Sequence, residues 1–198
     1  MASRPVFSVS PHDEQCMAYD AATGTIVLFG GGVYGGSLAD TWEWNGRAKT
    51  WTQKFPAASP SPRASPLAYD PVTREIVLFS GGAGNLNDTW TWDGATWTQQ
   101  FPATSPPFRG LPSLAYDPSL GQVVLFGGAQ DPGQGMNDTW AWNGSTWTKL
   151  NPSAQPGERW AAGMVFDPLS KGLLLFGGEL TGDPFGNDTW LLIPVPVP

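Results

Sequence analysis

Three arginines, Arg63, Arg109 and Arg159, stand at matching places in a sequence that repeats itself, and they have the most capacity for chemistry. A guanidinium is permanently charged and carries its N–H donors in a planar fork. Several converging on one point could hold an anionic or polyhydroxyl ligand. His12 lies near the matching place one repeat earlier. The competing use is internal, with each arginine stacked on an aromatic ring or paired with the aspartate of a recurring Asn-Asp-Thr. Trp160 follows Arg159 and falls outside the repeated tryptophan positions, which makes it the best-placed aromatic for ligand contact. Tyr34, Phe108 and Phe185 are further aromatics in segments between apolar runs. Asp131, Glu179 and Asp183 lie in similar segments, but no Asp-x-Asp-x-Asp-Gly spacing accompanies them, so no metal site is expected.

Other chemistries find few residues. His12, Asp13 and Glu14 form an acid and base group in one repeat only, and no catalytic residue and no cofactor is assigned. The single cysteine, Cys16, excludes an internal disulfide and any multi-cysteine zinc site. A net charge of -7 with 10 Lys and Arg leaves no basic stripe for a phosphate backbone, so nucleic acid is not an expected partner. Apolar runs such as Ile26-Val27-Leu28-Phe29 are far too short to span a membrane. Residues 1–7 lack the apolar stretch of a signal peptide, while the richness in Trp, Thr, Asn and Gly suits an extracellular or cell-envelope protein.

The elements that must position these residues come from the repeat. Asp20, Asp70, Asp117 and Asp167 mark four units with a period of about 50 residues. Each unit contains a segment ending in Tyr-Asp or Phe-Asp, then an apolar run ending in Phe-Gly-Gly or Phe-Ser-Gly-Gly, then Asp-Thr-Trp. With 25 Gly and 20 Pro and no sustained three-to-four-residue apolar periodicity, the units read as short strands separated by turns. The second strand is apolar at successive positions, so both of its faces should be buried between neighbouring sheets. The Thr-Trp-x-Trp strand carries both tryptophans on one face, and the Asp-Gly or Asn-Gly that follows marks a hairpin. A two-residue turn would set Trp90 opposite Trp97, and a four-residue loop would set Trp92 there; either places all three rings on one face.

Tyr-Asp-Pro, Leu-Phe-Gly-Gly and Asp-Thr-Trp-x-Trp in one order at one spacing resemble Kelch repeats, from about Pro11 to Trp190. The resemblance implies an all-β β-propeller of four Kelch-type four-stranded blades, approximately 11–56, 61–102, 107–152 and 156–198, in one domain over 1–198. Unit four ends in Leu191-Leu192-Ile193-Pro194-Val195-Pro196-Val197-Pro198, whose prolines deny ladder hydrogen bonds. Residues 5–10 are therefore expected as a strand completing the last blade. Kelch propellers commonly have six or seven blades, which leaves three readings of a count of four: a ring that closes alone, a larger ring shared by two chains, or part of a longer protein. Galactose oxidase has a similar propeller, but its copper site needs two histidines, and this chain has one.

In such a propeller the connections after the second and fourth strands share one face, and these are the longer, more varied ones. The expected function is a non-enzymatic binding module presenting those loops to a protein or glycan, with His12, Arg63, Arg109, Arg159, Trp160, Tyr34, Asp131 and Phe185 as ligand-binding candidates. Two alternatives accompany it. One is an enzyme similar to Kelch-like sialic acid epimerases, using arginines and a carboxylate at the channel mouth; the other is a unit that forms homo-oligomers through exposed blade faces. The regular tryptophans are expected in the core between blades.

Overall fold

The computed structural model describes residues 16–34, 36–81, 86–131, 134–152, 154–183 and 186–192. The chain forms an all-β, four-blade β-propeller. Among the described residues no helix is long and apolar enough to cross a membrane.

Blade 1 contains strands Cys16–Asp20, Thr25–Val33, Gly36–Asn45 and Thr50–Lys54, paired antiparallel in sequence order. Blade 2 repeats this with Leu67–Asp70, Glu75–Phe79, Thr89–Trp92 and Trp97–Gln100, and blade 3 with Ser113–Asp117, Gln122–Phe126, Thr139–Trp142 and Trp147–Leu150. Blade 4 has Gly163–Asp167, Gly172–Phe176 and Thr189–Leu192 as its three described strands. The expected closing strand, residues 5–10, lies outside the described residues.

Local chemistry explains the turns. Between first and second strands the Asp70 side chain accepts from the Val72 N–H at 2.9 Å, and Asp117 accepts from Ser119 at 2.7 Å. After the third strand, Asp93 accepts from the N–H groups of Ala95 and Thr96, both at 2.8 Å. The loop has four residues, which sets Trp92 opposite Trp97, and likewise Trp142 opposite Trp147.

First strands of successive blades contact one another from blade 1 to blade 4 in order, so the first strand is the innermost. In blades 2 and 3 the four successive apolar residues of the second strand are all buried, on both faces. Val77 and Phe79 face blade 3, while Ile76 and Leu78 face blade 1. All three tryptophans of blades 2 and 3 point toward the preceding blade. At two junctions the outermost tryptophan acts as a latch. Trp97 meets Phe29 edge-on at 5.0 Å and donates its Nε1–H to Thr41 Oγ1 at 2.9 Å; Trp147 does the same with Phe79 at 5.2 Å and Thr89 at 2.9 Å. At the third junction no tryptophan stands at this position among the described residues, and the matching hydroxyl, Thr139 Oγ1, is buried without a partner.

Candidate functional site

The three arginines are the least exposed cations of the described chain, each only 1 % accessible. Arg109 forms a bidentate pair with Asp138 at 2.5 and 3.0 Å, donates Nε–H to the Pro107 carbonyl and bonds the Gly127 carbonyl at 2.9 Å. Arg63 and Asp88, and Arg159 and Asp188, repeat this geometry. Arg63 also donates to the Ser61 hydroxyl and carbonyl and the Ser80 carbonyl, which accounts for all five of its side-chain N–H groups. The aspartate also accepts from the indole two residues on, as Asp138 does from Trp140 at 2.7 Å. An Arg–Asp–Trp brace thus fastens the third strand of each of blades 2 to 4 to the linker before its first strand.

The arginine backbone braces the preceding blade. Gly31 and Gly128 donate their N–H to the carbonyls of Arg63 and Arg159, at 2.9 and 2.8 Å. In blades 1 and 3 the approach leaves no room for a side chain at the first glycine of the pair. A Cβ on Gly30 would stand 2.3 Å from the Arg63 carbonyl oxygen, and one on Gly127 2.5 Å from that of Arg159, both at positive φ. Blade 2 has Ser80 there, also at positive φ; its single hydroxyl proton lies within reach of the Leu86 and Arg109 carbonyls, and its oxygen accepts from the Arg109 N–H.

Electrostatics follow the pairing. Burial raises the Asp138 pKa, but the hydrogen bond and positive charge of Arg109 outweigh it and hold the carboxyl below the usual carboxylate range. Asp188 is lowered further, first by the hydrogen bond from Arg159 and then by that from Trp190.

The axis carries a separate feature. A cavity of about 530 Å³ is lined by all four blades, through residues including Cys16, Ser65, Leu111, Ala162 and Glu179. Its walls are the beginnings of the innermost strands, so it lies at the end where the long loops emerge. Volumes of this order accommodate small ligands.

Beside it three segments are knitted into a ledge. Arg159-Trp160 pairs with Glu179-Leu180, so that Trp160 and Glu179 are opposite one another. The Arg159 N–H bonds the Met136 carbonyl, the Gly135 N–H bonds Thr181 Oγ1, and Thr181 donates to the Glu158 carboxylate at 3.3 Å. Trp160 is partly exposed there, and Glu158 and Glu179 are exposed.

Of the sequence-derived candidates, Trp160 joins this ledge. Asp131 belongs to the small hairpin of Ala129–Asp131 with Gln134–Gly135, whose far strand touches the ledge. Tyr34 stands fully exposed at the tip between the second and third strands of blade 1. Arg63, Arg109 and Arg159 lie inside the braces. His12 and Phe185 lie outside the described residues. Phe55 and Phe101, each 84 % exposed just past a fourth strand at the same long-loop end, are not among those candidates. Their signal was the repeated Phe-Pro after the outer strand, at Phe55-Pro56 and Phe101-Pro102. No family model and no curated protein matches the chain.

Proposed function

We propose that the blades are Kelch-type units and that the chain is a non-enzymatic binding module whose long-loop face receives a protein or glycan ligand. The carrying observation is that this one end collects the exposed aromatics Tyr34, Phe55 and Phe101, the partly exposed Trp160 and the axial cavity. Exposed aromatic rings cost solvation in the free protein and are characteristic of recognition surfaces. Flat rings beside carboxylates suit both a pyranose, through stacking and hydroxyl hydrogen bonds, and an extended peptide. The rigid braces below hold the loops in place, which limits the entropy lost on binding.

The enzyme alternative relied on arginines at the channel mouth. Their donors are turned to Asp88, Asp138 and Asp188 and to backbone carbonyls, so they lend it no support.

The test is a screen against a glycan array and a displayed peptide library, using the chain and its Trp160→Ala and Tyr34→Ala variants. A specific binder weakened at least tenfold by one of these changes is expected. Binding indifferent to both, or lost only when the opposite face is altered at Leu169, contradicts the reading.

A further inference from the structure

Three junctions join the four blades, and the two outer blades each keep one face that joins nothing within the described chain. These faces are not alike. Blade 1 presents Trp44 and Trp51, the counterparts of Trp92 and Trp97, with Met17 and Tyr19 51 % and 60 % exposed beside them. Blade 4 presents Phe176, the counterpart of Phe29 and Phe79, at 57 % exposure, with Thr189, Val165 and Leu191 also exposed. One end of the chain therefore carries the tryptophan half of a blade junction, and the other carries the phenylalanine–threonine half.

Both halves are already shaped for use. The rings of Trp44 and Trp51 sit 5.5 Å apart at 50°, close to the 5.4 Å and 44° of Trp92–Trp97 and Trp142–Trp147, whose latches are closed. Phe176 and Thr189 face each other across the pair of second and third strands, as Phe29 and Thr41 do where they receive Trp97. Phe29, Phe79 and Phe126 are at most 1 % exposed, whereas Phe176 is open.

We propose that blade 1 of one copy docks on blade 4 of a second copy, Trp51 stacking edge-on against Phe176 and donating its indole N–H to Thr189. The contact is heterologous, so it must either close into a ring or run on as a filament. Two copies bring eight blades together, the upper end of the size range that propellers adopt, and three would exceed it. The closed assembly is therefore a ring of two copies with two identical new junctions.

The experiment is sedimentation equilibrium of the 198-residue chain over a hundredfold concentration range, with circular dichroism to confirm folding of every variant. The expected mass is twice the 21.2 kDa of one chain. Phe176→Glu and Trp51→Ala, each changing a side chain that is already partly exposed, should each lower it to that of one chain. Leu169→Glu, exposed in a turn away from both faces, should leave it doubled. Mixing the Phe176→Glu and Trp51→Ala chains restores one intact junction per pair, and a mass above that of either alone is expected. A single-chain mass at every concentration overturns the proposal, as does an assembly indifferent to both changes or a mixture that fails to associate.

Discussion

Replacing Arg109 by alanine removes a bidentate ion pair from a site where the arginine side chain is fully buried and its partner Asp138 is 15 % exposed. It also strips a donor from the carbonyls of Pro107 and Gly127 and leaves Asp138 with the Trp140 indole. Breaking a buried pair by removing one partner typically costs about 3–5 kcal/mol, because the surviving charge stays in a poorly solvated place. Arg159→Ala removes the same bonds, but Asp188 is 41 % exposed and water can replace the lost donors. Its cost should be nearer 1–3 kcal/mol, in the range of ordinary charged hydrogen bonds. Urea unfolding followed by tryptophan fluorescence measures both, with a melting-temperature shift of roughly 2–4 °C per kcal/mol for a chain of this size. Arg109→Met with Asp138→Ala should recover part of the loss, since no charge is then left unpaired. Equal costs for Arg109→Ala and Arg159→Ala, or costs below about 1 kcal/mol for both, would refute the reasoning from burial.

Further outcomes follow from the same geometry. Gly127→Ala places a Cβ against the Arg159 carbonyl and should cost well over the roughly 1–2 kcal/mol of a left-handed alanine, whereas Gly24→Ala, with no atom near its Cβ, should cost only that; chemical denaturation compares them. Trp97→Ala empties a site that is 1 % exposed and should cost about 3–5 kcal/mol, against a markedly smaller loss for Trp51→Ala in the isolated chain, read by the same unfolding curves. Asp138 and Asp188 have folded pKa values below the unfolded value of about 3.9. The unfolded chain therefore binds more protons near that pH, and their contribution is complete above it and lost as pH falls through the folded values. Urea midpoints measured from pH 5 to pH 2 should fall, and the fall should be shallower in Asp138→Asn; an equally steep fall in the variant contradicts the assignment.

Much of this architecture was legible because four copies of one unit report on one another. The both-faces-apolar second strand, Ile76-Val77-Leu78-Phe79, implied a sheet between sheets, and the alternation of Trp90, Trp92 and Trp97 placed them on one face. Their register was not legible, because Asp93-Gly94 is compatible with turns of two lengths and the Asp93 side-chain bonds to Ala95 and Thr96 decide for four residues. The arginines admitted two uses in sequence, since a recurring cation looks the same whether it lines a channel or is buried. The distance from Arg63 to Asp88, 25 residues on, distinguishes them only once the sheet is built. Phe55 and Phe101 were missed for the opposite reason, because a repeated phenylalanine reads as core until its exposure is known.

The proposed binding function puts the ligand at the long-loop end. Hydrogen exchange of the chain with and without a ligand taken from the screens locates that contact. Slowed exchange is expected in residues 129–131, 134–136, 158–162 and 179–183, with no change in the hairpin turns 93–96 and 143–146. Protection confined to those turns, with the ledge around Trp160 unaffected, would contradict it.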